Sequence, residues 1–251
     1  MMAHFGQQLW MHLGREGRLM QRRLADSLLP TAFWWLLLGL QAFLLSGWDI
    51  PSSIAGLLPG LLLWGNLLLT TLLAGDRLWR VDSANDSLNF WRQSGCRLSL
   101  LLLAKLLALW GLLLINLLLL SPLLLLAFPI GHQPLELMAV MGLAASLIIG
   151  SLGLAALCSM VSALLLGLEQ DGAGAAEGGG GGTGLLGLLV LLPLAVPLLV
   201  GGMAVWATLI DTSNSPAAML QSLAWQLALS VLYLVVVPLV GGQWLTLSDD
   251  G

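Results

Sequence analysis

Charge is scarce in this chain. Lys and Arg number 9 and Asp and Glu 13 in 251 residues, 9% charged in all, where a soluble domain carries about 25%. Lysine occurs once, at Lys105, so no phosphate-binding loop ending in Gly-Lys-Ser/Thr exists; the five glycines from Gly178 to Gly182 run into Thr183 without it. The chain is therefore not expected to hydrolyse ATP by itself. Histidine occurs at His4, His12 and His132 only, with no carboxylates at ligand spacing, which speaks against a metal site. Cys96 and Cys158 lack the close spacings of zinc, redox or cofactor-attachment motifs and read as free thiols. A net charge of -4 without a basic stripe removes nucleic acid from the expected partners. No catalytic group emerges.

What the chain has instead is apolar length: 58% of its residues are hydrophobic and its mean hydropathy is +0.94. A hydrocarbon core about 30 Å thick takes roughly 20 apolar residues per helix. Six segments meet that measure, at about 28–47, 54–74, 98–122, 135–157, 185–210 and 217–240. The expected fold is an all-α polytopic membrane protein with six transmembrane helices and the lipid bilayer as its solvent. Short polar or helix-breaking stretches separate the segments, the longest being an arginine-rich loop at 75–97 and a Gly-rich acidic loop at 168–184. Loops bearing Lys and Arg stay cytoplasmic. Arg15, Arg18, Arg22 and Arg23 precede the first segment, and Arg77, Arg80, Arg92 and Arg97 lie between the second and third. Six alternating spans put both clusters on one side, with both termini cytoplasmic and 241–251 a cytoplasmic tail. The first apolar run is too long for a signal peptide and closes on Trp48 and Asp49, so it is expected to stay uncleaved.

Within this frame some residues stand out. In 1–27, Phe5, Leu9, Leu13, Met20 and Leu24 recur at helical spacing among the arginines, the pattern of an amphipathic helix lying in the headgroup plane. Lys105, less than two turns into the third span, is expected to snorkel to the cytoplasmic face. With no other charge well inside a span, ion-coupled transport has no obvious carriers. Pro193 and Pro197 stand four apart in the fifth span and are expected to bend or break it; Pro59-Gly60 and Pro122 could do the same in the second and third. Gly142, Ala145, Ser146, Gly150 and Gly153 would let another helix approach the fourth span closely.

The stretch "WRVDSANDSLN" (79–89) resembles the loop motif F-x-x-D-x-x-D-G-S-L-E of the CcmB family: Trp79 stands at the aromatic, Asp82 at the first Asp, and Ser87 with Leu88 at Ser-Leu, flanked by Arg77 and Arg80. Asn85, Asp86 and Asn89 depart from it. The likeness extends to Pro59, Gly60 and Trp64, to Ala104, Lys105, Trp110, Ser121 and Pro122, and to "LPLAVPLL" around Pro193 and Pro197, covering roughly 15–240. The acidic Gly-rich loop, with Glu169, Asp171 and Glu177, replaces a short basic one.

The resemblance implies a permease subunit of ABC-exporter type in a complex for cytochrome c maturation. ATP would be bound by a CcmA-like ATPase; CcmC-like and CcmD-like membrane subunits and a haem chaperone of CcmE type would be further partners. Haem would be cargo, moved or released at the outer face, with no cofactor held stably. Asp76, Arg77, Trp79, Arg80, Asp82, Ser87, Leu88, Phe90 and Trp91 would dock on the ATPase, the aromatic and apolar residues filling pockets and the charged ones fixing orientation; the arginines also serve as the topology signal. His132, in an outer loop, could ligate haem iron. The expected location is a bacterial inner membrane, or alternatively the mitochondrial one. An ABC permease for a lipid, polysaccharide or drug, and a non-transporting scaffold of a haem-assembly complex, remain as alternatives.

Overall fold

The structure, a computed structural model, describes residues 10–18, 24–46, 57–76, 98–127, 137–171, 182–210 and 216–247. All of these but Leu57 are helical. We number the helices α1 (10–18), α2 (Leu24–Ser46), α3 (Leu58–Asp76), α4 (Leu98–Ala127), α5 (Leu137–Asp171), α6 (Gly182–Ile210) and α7 (Pro216–Leu247). Among the described residues five are long and apolar enough to cross a membrane, over Leu58–Gly75, Ser99–Leu118, Met141–Leu164, Leu189–Ile210 and Ala217–Val237. In α2 the apolar stretch with described side chains is Leu29–Gln41. At 1.5 Å per residue the 35 residues of α5 measure roughly 52 Å, so this helix outruns the hydrocarbon layer.

The expectation for Pro59 changes. Pro59 sits in the first turn of α3, where its missing N–H has no intrahelical partner to lose, so it starts that helix and does not bend it. Helix α6 continues unbroken through Pro193 and Pro197, and α4 passes Pro122 to end at Ala127. The helices also advance into both ends of the Gly-rich segment, leaving 172–181 between α5 and α6 outside the described residues.

Helix α5 is the most enclosed span and packs on α3, α4, α6 and α7, whereas α7 is the least enclosed. Several polar side chains in these spans return their hydroxyls to nearby carbonyls of their own helix. Thr71 donates to Leu67 O, Ser151 to Ile148 O, Ser159 to Ala156 O and Thr208 to Val205 O. A hydroxyl satisfied within its own helix can lie in an apolar bundle without a partner helix.

Cross-helix contacts fix the direction of each element. The Cys158 thiol donates to Thr71 O and the Ser162 hydroxyl to Gly75 O, so α3 and α5 are parallel. Ser146 bonds Gln226 and the Ser230 hydroxyl donates to Ile149 O, so α5 and α7 are parallel too. Trp110 of α4 donates to Ile148 O across 3.4 Å, and the short segment 128–136 forces α4 antiparallel to α5. Helix α6 is antiparallel to α3, with Trp206 against Gly60 and Gly202 against Trp64. The five spans α3 to α7 thus alternate as consecutive crossings should.

Helix α2 does not alternate. Thr31 donates to Asn116, which lies beyond Trp110 toward the end of α4 that adjoins the start of α5, while Gln41 pairs with Asn66, midway along α3. From Thr31 to Gln41 α2 therefore runs alongside α3 in the same direction, opposite to the direction that six alternating spans require.

Candidate functional site

The stretch expected to dock on an ATPase falls almost wholly outside the described residues: Arg77, Trp79, Arg80, Asp82, Ser87, Leu88, Phe90 and Trp91 lie there, as does His132. Asp76 is the last residue of α3. The turn before it is well anchored. The Ser162 hydroxyl donates to Gly75 O at 3.2 Å, and a methyl group on Gly75 would overlap the Cys158 sulfur. The end of α3 is thus held against α5. Pro193 and Pro197 face outward from α6 and meet none of these groups.

The core contains a site that its expected residues did not indicate. Gly60 and Trp64 on α3, and Gly202 and Trp206 on α6, repeat the pattern Gly-x-x-x-Trp. Because the helices are antiparallel, each indole lies on the other helix's glycine. A methyl on Gly60 would stand 2.5 Å from the Trp206 ring, and one on Gly202 would overlap the Trp64 ring. Gly150 of α5 closes the other side of Trp64. Both indoles are 2% exposed. The Trp64 Nε1 has no hydrogen-bond partner, so shape and not polarity places this ring. Two Gly-x-x-x-Trp patterns in facing spans were the sequence signal for it. The small residues of the fourth span do admit close neighbours: Gly142 faces Met219, Gly153 faces Leu198, and Ser146 exchanges hydrogen bonds with Gln226.

Charge collects at a second place. Lys105 is the one Asp, Glu, Lys or Arg within the five candidate spans. It does not snorkel. Its side chain is 1% exposed, and its Nζ stands 3.7 Å from Glu16 Oε1 of α1, itself 8% exposed. The same oxygen accepts a 2.9 Å hydrogen bond from Arg15. His12, one turn before Glu16, is also buried, and burial together with the Arg15 guanidinium holds its pKa below the ordinary value, against a smaller opposing pull from Glu16. Of the apolar residues expected to form one face of the N-terminal helix, Leu13 is half-buried and Leu24 already opens α2; His12 and Glu16 take the inward face, while Trp10 and Met11 are exposed. The reason is electrostatic: an ammonium in an apolar bundle demands a carboxylate, and α1 supplies it. A lone lysine in a span with an unassigned acid at Glu16 was the signal that could have found the pair.

Polar bonds also hold α2. Gln41 and Asn66 form a reciprocal amide pair at 2.9 and 2.8 Å, and Thr31 donates to Asn116 Oδ1. No group of His, Cys, Asp and Glu that could hold a metal occurs among the described residues.

The profile of the CcmB protein family matches residues 7–247 of this chain. The chain belongs to the CcmB family. It is also 33% identical over 239 residues to heme exporter protein B of Pseudomonas aeruginosa, an alignment covering 94% of this chain and 95% of that protein. The match to residues 7–247 spans the N-terminal helix with Glu16, the Gly-x-x-x-Trp pair and the 77–97 stretch.

Proposed function

We propose that this chain is the membrane permease subunit of an ABC-type complex that handles haem for cytochrome c maturation. The observation that carries this reading is CcmB family membership over 7–247, with a heme exporter protein as a relative along nearly the whole chain. In this reading the chain is no enzyme. ATP is hydrolysed by a separate CcmA-like ATPase on which Asp76, Arg77, Trp79, Arg80, Asp82, Ser87, Leu88, Phe90 and Trp91 dock. CcmC-like and CcmD-like subunits hold the haem, and the cargo is released to a CcmE-type chaperone at the outer face of a bacterial inner membrane.

The packing supports a coupling role because the docking stretch joins α3 to α4, and α3 is the helix whose indole is clasped by α5 and α6. A push at its end reaches the interlocked core directly. The Pro193 and Pro197 positions, lacking two backbone donors on the outward side of α6, are where that helix would bend in response. Orientation follows from the arginines: the 77–97 stretch, and with it the end of α7, is cytoplasmic. A cytoplasmic N-terminus, which Arg15, Arg18, Arg22 and Arg23 call for, makes α2 a sixth crossing only if it runs against α3, opposite to its packing.

The test is affinity purification of the tagged chain in mild detergent, as wild type and as Arg77→Glu/Arg80→Glu. An ABC ATPase and haem-maturation subunits are expected with the wild type, and the double variant should lose the ATPase alone. If no ATPase accompanies a wild-type chain that keeps its other partners, the docking role is wrong.

A further inference from the structure

Helix α6 carries two prolines and has no means of its own to repair the gaps they leave. Proline has no N–H, so Pro197 offers nothing to Pro193 O and Pro193 nothing to Leu189 O, and each ring crowds the carbonyl four residues before it. Inside a membrane such gaps are met by hydroxyls, by neighbouring helices or by water. From Gly184 to Val200 the chain holds no polar side chain, so a side-chain donor has to come from outside α6. It comes from α7. The hydroxyl of Tyr233, the one tyrosine of the chain, donates to Leu194 O at 3.1 Å. In a regular helix that carbonyl takes the Leu198 N–H, the rung next to the one that Pro197 cannot make.

Two further observations give this bond its place. The base of the tyrosine is fixed: Ser230, one turn earlier, donates to Ile149 O, and Gln226, two turns earlier, exchanges hydrogen bonds with Ser146, so this part of α7 is fastened to α5. Helix α6 is divided at the same level. After Pro197, Leu198 lies against Gly153, Gly202 on Trp64 and Trp206 on Gly60. Before Pro193, Leu189, Val190 and Leu192 are exposed and only Leu191 of these four is buried. A bend at the prolines therefore moves the half that begins at Gly182. Because α6 is antiparallel to α3, that half lies toward the end of α3 that leads into residue 77.

We infer that Tyr233 is a positioning residue for a hinge in α6: its hydroxyl braces the Pro193–Pro197 turn in its continuous helical form, and release of that bond lets the 182–192 half swing. The inference rests on the coupling reading above only for what drives the bend. A hydroxyl that merely found a partner for itself would tie α6 to α7 with or without the prolines, whereas a brace acts through the gap they make.

The test is backbone hydrogen exchange of the full chain in lipid nanodiscs, without ATPase, for wild type, Tyr233→Phe, Pro197→Ala and the double variant. Phenylalanine keeps the ring and removes only the donor. Tyr233→Phe should speed exchange of amides 194–200 about three- to twentyfold, the weight of one hydrogen bond between membrane helices, while the end of α3 at Gly75 keeps its protection. In Pro197→Ala, where the missing rung is restored, the same change should alter exchange by less than about twofold. No speeding in Tyr233→Phe, or equal speeding in both backgrounds, overturns the inference. Should Tyr233→Phe not fold, Tyr233→Met supplies a side chain without the donor and is read by the same outcomes. ATPase co-purification separates the two readings. A Tyr233-dependent hinge in a chain that recruits no ATPase removes the coupling role only, whereas a recruited ATPase with exchange indifferent to Tyr233 removes this inference only.

Discussion

The seam of α3, α5 and α6 and the side where α1 lies on α4 and α2 lies on α3 and α4 exclude solvent equally well, Trp64 being 2% and Lys105 1% exposed, but the balance of forces that closes them differs. At the seam, indoles sit on glycines and the Trp64 Nε1 goes without a partner, with the Cys158 and Ser162 hydrogen bonds to α3 carbonyls as the polar addition. On the other side α2 also buries Trp34 and Leu38, and the contacts add an amide pair, a hydroxyl–amide bond and an ion pair. In lipid there is little hydrophobic drive between helices, so close shape and hydrogen bonds are the two available adhesives. Shape is lost all at once when helices separate, while polar partners can be exchanged one for another. The seam is thus suited to transmit a push and the polar side to rearrange.

The largest effect that can break this contrast is at the seam. Trp64→Ala should destabilise the bundle by about 3–5 kcal/mol, since it empties the slot between Gly150 and Gly202. Gly202→Ala should cost about 1–3 kcal/mol by overpacking against the same ring. Thermal unfolding in detergent, followed by aggregation on size exclusion, reads both. Near-wild-type stability for Trp64→Ala would mean that the indole is not what holds α3 to α6.

Helix α2 gives the next test, because its hydrogen bonds specify a direction. In a Cys96→Ser/Cys158→Ala background, cysteine pairs at positions 41 and 66 and at 31 and 116 should both cross-link in membranes. An α2 running against α3 could satisfy at most one of these pairs, and that outcome would restore six alternating spans. The energetic stake is smaller: Gln41→Leu or Asn66→Leu should cost about 0.6–1.7 kcal/mol, the range found for hydrogen bonds between membrane helices.

What could be read in the sequence divides along the same line. Apolar length announced the long spanning helices α3 to α7, because roughly 20 apolar residues per crossing is a demand of the bilayer and not of any partner. The small residues of α5 were legible for a similar reason, a close approach needing small side chains whatever approaches. Lys105 was misread because snorkelling weighs only the distance to the surface, and the competing carboxylate at Glu16 lies 89 positions away in sequence. The direction of α2 was misread because alternation assumes that each apolar run crosses alone, whereas Gln41 and Thr31 bind partners that no periodicity announces. The residues expected to dock on an ATPase rested on family resemblance, and all but Asp76 lie outside the described residues.

The smallest expected effect concerns pH and belongs to the polar side alone. His12 is buried beside Glu16, and burial, reinforced by Arg15, lowers its pKa from the ordinary 6.5. A histidine whose docked pKa is depressed binds more protons when undocked, so docking gains strength as pH rises and loses it as pH falls below about 6.5. Hydrogen exchange of residues 10–18 in nanodiscs should therefore be slower at pH 7.5 than at pH 5.5, after correction for intrinsic exchange rates. His12→Phe keeps the bulk without the titration and should flatten the difference, leaving the α3, α5 and α6 seam equally protected at both pH values. If the pH effect survives in His12→Phe, another group governs α1, and if the seam responds as strongly as α1, the division between a side held by shape and a side held by charge fails.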